Sequence, residues 1–160
     1  MKWEKIDNEL FFAWVKEELA EGRSARFRVK GFSMLPMLRT GKDEVVLFPY
    51  QDADPQPWDV VLFRYKGRDI MHRIIRKEGD RYTIQGDGVL KGYEKCSRED
   101  IVGVVRQVIR PSGRIVHTDS RIWRWESKAW RSLGILRYFL LKFFGLIRRL
   151  KRFGSSLGLK

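Results

Sequence analysis

A chain of 160 residues is long enough to bury one sizeable core and leaves room for appendages rather than a second full domain. Its one cysteine, Cys96, excludes an internal disulfide and a cysteine-built metal cluster, and points to a reducing compartment. The net charge of +13 suggests a nucleic-acid binder until it is located: residues 121–160 hold eleven Lys/Arg against one acid, which leaves +3 for residues 1–120.

The chain begins with Glu4, Asp7 and Glu9 ahead of only a brief apolar run, which is not a signal-peptide pattern. No stretch of ~18 uninterrupted apolar residues provides a conventional spanning helix. Across residues 6–20, Leu10, Phe11, Trp14, Val15 and Leu19 recur at helical spacing, with acids and Lys16 between them. This predicts an amphipathic helix within residues 1–22, docked on the domain and capped by Asp7 or Asn8.

After Gly22 the pattern turns to strands. Residues 26–30, 44–48 and 60–65 are short and rich in β-branched and aromatic residues, with Gly, Pro and Asp between them. Residues 52–57 form a polar, proline-bearing loop. Residues 69–75 and 81–87 read as a hairpin around Glu78-Gly79-Asp80, which sets His72 on the face of Ile70 and Ile74, pointing inward. Ile101–Val105 is a further strand, in which Gly103 allows a bulge or close strand packing. Arg106–Arg110 and Gly113–His117 read as a last, structural hairpin around Pro111-Ser112-Gly113. The predicted fold is therefore a mostly β domain over residues 23–118, flanked by an N-terminal amphipathic helix and C-terminal basic amphipathic helices.

The chemistry centres on Gly31-Phe32-Ser33-Met34-Leu35-Pro36-Met37-Leu38. Gly31 permits a tight course, while Pro36 fixes its own φ and biases Leu35 toward extended backbone, so Ser33 sits on a short stiff bend. A hydroxyl held that way becomes a nucleophile if a base reaches it. An imidazole, with a reference pKa of ~6.5, accepts a proton at neutral pH. His72 has the better context for that role; His117 lies late in a terminal strand. Taken alone, a histidine on an apolar strand face is more often a satisfied core residue than a catalyst.

Ser33-Met34-Leu35-Pro36 resembles the nucleophile segment of the type I signal peptidases and the related self-cleaving SOS repressors. Trp58-Asp59-Val60-Val61-Leu62-Phe63 resembles their G-D-V-V-x-F strand, with tryptophan in place of glycine. Ile70-Met71-His72-Arg73-Ile74-Ile75 is similar to the histidine-base segment of the endoplasmic-reticulum and archaeal type, and Gln85-Gly86-Asp87 to its G-D element. The nucleophile, base and G-D segments fall in the family's order, and the resemblance covers residues 26–110.

The resemblance implies a serine endopeptidase of mostly β fold. Ser33 attacks the scissile bond, His72 is the base, and the backbone N–H of Ser33 helps bind the oxyanion; Gly31 stands where bacterial relatives carry a hydroxyl. Met34 and Pro36 are the implied substrate contacts. Asp87 is the candidate to orient the imidazole, although G-D-G is also an ordinary turn. The family's further aspartate is missing here, with Tyr93 at that place and no acid until Glu94, so Asp69 and Asp59 are fallbacks. The scheme uses no metal or cofactor.

From Arg121 onward the pattern is helical again. Ile122, Leu133, Leu136, Leu140, Phe143 and Ile147 fall opposite Arg124, Lys128, Arg131 and Arg149, with Trp123, Trp125, Trp130 and Tyr138 as interfacial aromatics. Gly134 and Gly145 are candidate breaks. Residues 119–160 thus read as a basic aromatic tail, with 121–153 in peripheral contact with an anionic membrane surface. A helical hairpin packed on the domain or on a dimer partner is the alternative. Nucleic acid is disfavoured because the aromatics lie on the apolar face rather than between the charges.

The sequence reading is thus a cytoplasmic peptidase on the inner face of the cell membrane that cleaves the leader of a peptide or preprotein substrate. A catalytically silent binding module and a self-cleaving regulator are the rivals. The regulator would need a DNA-binding module, and only about 25 residues precede Arg26.

Overall fold

The computed structural model describes residues 8–50 and 54–156. In chain order the elements are α1 (Asn8–Ala20), β1 (Ala25–Arg28), β2 (Glu44–Phe48), β3 (Val60–Tyr65), β4 (Arg68–Glu78), β5 (Arg81–Gln85), β6 (Glu94–Ser97), β7 (Ile101–Ile109), β8 (Ile115–His117), α2 (Arg121–Ser132) and α3 (Ile135–Ser156). The cap expected at Asp7 lies outside the described residues.

The strands form one sheet in the order β1-β2-β7-β3-β4-β5-β6, with β8 against the end of β7, and every pairing is antiparallel. The expected mostly β architecture with flanking helices stands at this level. Register shifts at Val46/Leu47, Leu62/Phe63 and Ile74/Arg76 mark where the sheet bends.

Strand β3 shows why the sheet is covered on both sides. Val60, Val61, Leu62 and Phe63 are all fully buried, and alternation sends successive residues to opposite faces. Val60 and Leu62 join one core with Val15 and Leu19 of α1, Met34 and Leu38 of the turn after β1, and Trp123 of α2. Val61 and Phe63 join a second core with Ile74, Tyr82, Ile84, Cys96 and Val104. Gly103 is the contact point of α1 on β7: a Cβ there would lie 2.6 Å from Leu19 Cδ1. Close packing is therefore what this glycine serves.

Three features differ from the sequence reading. Strand β6 was not anticipated, since Glu94-Lys95-Cys96-Ser97 has little strand character and is held by pairing with β5. Helix α2 is part of the domain rather than of a free tail: Ser120 caps it, and Trp123 and Trp130 are buried, so of the expected interfacial aromatics on α2 only Trp125 is open. The helical run breaks at Gly134, in left-handed conformation (φ 51°), but passes through Gly145 without a break.

Trp58, which stands where the resemblance has glycine, adopts φ 82°. That conformation strains any L side chain. Its carbonyl accepts from Arg73 Nη1 at 2.7 Å, and Lys128 of α2 lies 5.6 Å from its ring.

Candidate active site

Ser33 lies in the turn after β1, half-buried, and leads into Met34, Met37 and Leu38, which are anchored in the core. Gly31 before it adopts φ 92°, a conformation suited to glycine, as the tight course anticipated. The apolar residues after the serine fix the segment, while the serine stays at the surface.

His72 comes from the middle of β4, opposite Val61 of β3, and is 5% exposed. It shares the face of Ile70 and Ile74, with the Phe63 ring centroid 6.5 Å from its own. Its Nδ1 lies 3.2 Å from Glu94 Oε2. A carboxylate only accepts, so Nδ1 carries the hydrogen, and in the neutral ring this tautomer puts the lone pair on Nε2.

His72 Nε2 and the backbone carbonyl of Ser33 both lie close against Gly86. A Cβ built on Gly86 would sit 3.0 Å from His72 Nε2 and 2.4 Å from the Ser33 carbonyl oxygen. A Cβ on Gly88 would sit 2.6 Å from the Phe32 carbonyl, and the Gly88 N–H donates to the Ser33 carbonyl at 2.7 Å. The glycines of Gly86-Asp87-Gly88 therefore let one backbone segment press against both the nucleophile turn and the imidazole. Among the described residues no hydrogen bond joins the Ser33 hydroxyl to the ring. Such bonds are often loose before substrate is bound.

Asp87 does not orient His72. Its carboxylate is fully buried and closed in a two-pronged pair with Arg73, Nε to Oδ1 at 2.8 Å and Nη2 to Oδ2 at 2.7 Å. The physical reason is strand alternation: Arg73 follows His72 and points to the other face of β4, where Trp123 lies 5.4 Å from its guanidinium. The fallbacks are engaged elsewhere, Asp69 with Lys16 and Arg64, and Asp59 with Arg106 and Arg124. The carboxylate behind the imidazole is Glu94, a residue the sequence reading passed over.

The helices after the sheet hold the same segment. Trp130 Nε1 donates to the Asp87 carbonyl at 2.8 Å, and Arg131 Nη2 to Gln85 Oε1 at 2.8 Å. Arg137 Nη2 donates to the carbonyls of Val89 at 2.8 Å and Asp87 at 2.9 Å. Burial lowers the Arg137 pKa, with the charge of Asp87 opposing it. The sequence pattern placed Trp130 among the interfacial aromatics and Arg131 on the basic face, and gave none of the three a role at this segment.

On one side Ser33 opens into a cleft of about 1020 Å³, walled by Phe11 and Trp14 of α1, Phe27 of β1, and Ile70 and Met71 of β4. Met34 lines it; Pro36, which follows a cis Leu35–Pro36 peptide, does not. On the other side a small pocket of about 200 Å³ lies between Phe32, Ser33, Gly88 and the α3 residues Leu141 and Phe144. Cys96 is no competing nucleophile, because burial pushes its thiol up to about 12. His117 is exposed on β8. No group of His, Cys, Asp and Glu able to hold a metal occurs among the described residues. Comparison of the chain with protein-family models and with curated proteins finds no match.

Proposed function

We propose that the chain is a serine endopeptidase of the signal-peptidase type, with Ser33 as nucleophile, His72 as base and Glu94 as the residue that orients the imidazole. The observation that carries the reading is the packing of the Ser33 carbonyl and of His72 Nε2 against the same residue, Gly86, with Glu94 behind Nδ1. Substrate lies extended in the cleft beside Ser33. The hydroxyl attacks the scissile carbonyl as its proton passes to Nε2, and the Ser33 N–H donates to the oxyanion. The imidazolium then protonates the leaving amine, and water, activated by the same ring, hydrolyses the acyl-serine. Glu94 stabilises the imidazolium at Nδ1.

The preferred substrate is the leader of a small exported or modified peptide. The place of work is the cytoplasmic face of the cell membrane, contacted peripherally through residues 121–153. No helix among the described residues is long and apolar enough to cross a membrane, so contact through an amphipathic surface is the mode that fits.

The second reading, a catalytically silent binding module, is favoured by the missing hydrogen bond between the Ser33 hydroxyl and the ring. Digestion of a random peptide library, read by mass spectrometry, separates the two. The peptidase reading expects defined cleavage products that vanish with Ser33→Ala. Absence of products, or the same products from the variant, overturns it.

A further inference from the structure

Helix α3 meets the domain through one side only. Arg137, Leu141 and Phe144 face inward: Arg137 is 8% exposed with its guanidinium on the Gly86–Val89 carbonyls, and the other two wall the small pocket at Ser33. At ~100° per residue, Ile135, Phe139, Phe143 and Leu146 fall on a different side, roughly opposite. They are 78%, 60%, 57% and 54% exposed, an apolar row that none of the described residues covers. Lys142 and Arg149 are exposed beside the row. The α3 sequence holds six Lys/Arg and no acid. An apolar row with a basic border matches a surface that is apolar within and anionic at its rim, which is an anionic lipid bilayer. A second copy of α3 would instead bring like charges together.

Arg137 gives this surface a consequence at the active site. It is bonded to the segment whose Gly88 N–H holds the Ser33 carbonyl and whose Gly86 lies against both that carbonyl and His72 Nε2. We infer that α3 docks on an anionic bilayer by its Ile135–Phe139–Phe143–Leu146 row, and that Arg137, as a positioning residue, transmits the docking to the Gly86–Val89 segment. The inference rests on the proposed peptidase only for its meaning, since docking and its effect on the segment are readable without catalysis.

The test uses the full chain with vesicles of phosphatidylglycerol and phosphatidylcholine, against phosphatidylcholine alone. It reads flotation together with amide hydrogen exchange at Gly88 and Val89. The wild type should float only with the anionic vesicles, with exchange at the two amides slowed by ~10-fold. Phe139→Asp with Phe143→Asp, on an uncovered face and so harmless to folding, should abolish both effects. Arg137→Ala should float like the wild type but show no slowing, and Arg137→Lys should restore part of it. Equal flotation on both vesicles, flotation without slowing, or full slowing in Arg137→Ala overturns the inference. So does a dimer that the Phe139/Phe143 variant splits while flotation persists. Ser33 inactivity with these effects intact would count against the peptidase alone.

Discussion

His72 and Arg73 are neighbours in the chain and do opposite kinds of work. Arg73 faces the core that holds Trp123, and with Asp87 forms an ion pair from which water is wholly excluded. Every strong partner is internal, so the pair ties β4 to the loop after β5 and offers nothing to a ligand. His72 faces the other way. Its Nδ1 is backed by Glu94, and its Nε2 lies near Gly86 and the Ser33 carbonyl with no hydrogen-bond partner among the described residues. A polar cluster closed on itself is scaffold; a ring nitrogen left open beside the Ser33 turn is what the proposed peptidase would use. One residue of strand alternation separates them.

That distinction breaks if the two carboxylates prove interchangeable. Asp87→Ala leaves a buried guanidinium unpaired and should cost about 3–5 kcal/mol of stability, measured by urea denaturation. Glu94→Gln should leave stability within about 0.5 kcal/mol and slow reaction at Ser33 by ~10²-fold, because the amide no longer stabilises the imidazolium. Gly86→Ala lies between: its Cβ must displace the Ser33 carbonyl or the imidazole. A loss of about 1–3 kcal/mol should accompany a reaction rate below that of Glu94→Gln.

Asp43, another buried carboxylate, shows scaffold behaviour apart from the site, with a smaller effect. Burial pushes the Asp43 pKa up, but hydrogen bonds from Arg39 and the charge of Arg110 outweigh it, and the result lies below the ordinary value. A carboxyl depressed on folding contributes stability that is present above its unfolded pKa, ~3.9, and lost as pH falls through the folded value. Asp43→Asn should therefore lower stability at neutral pH and flatten its fall in acid, with no change in reaction at Ser33.

Much of this was legible because it is local. The strands at 44–48 and 60–65, the hairpin carrying His72, and the stiff turn at Ser33 follow from alternation, turn residues and proline. The glycines of Gly86-Asp87-Gly88 were read only as a G-D element or an ordinary turn, and their close backbone approach to the Ser33 turn emerges in the fold. Asp87 was misread because nothing local says which face of β4 a loop carboxylate will turn to, and Arg73 is the stronger partner. Glu94 was missed because it opens a four-residue strand of polar character, positioned only by its pairing with Ile84. Trp123 and Trp130 were read as interfacial for a related reason. An apolar stripe on a helix looks the same whether protein or lipid will cover it, and the structure buries α2 while leaving the outer row of α3 bare.

The central claim is that His72 activates Ser33, and labelling with a small fluorophosphonate, mapped by mass spectrometry, tests it most directly. The account predicts an adduct on Ser33 in the wild type, none with Ser33→Ala, and a rate ~10²–10⁴-fold lower with His72→Ala. Equal labelling of all three proteins, or an adduct on another residue, would contradict it.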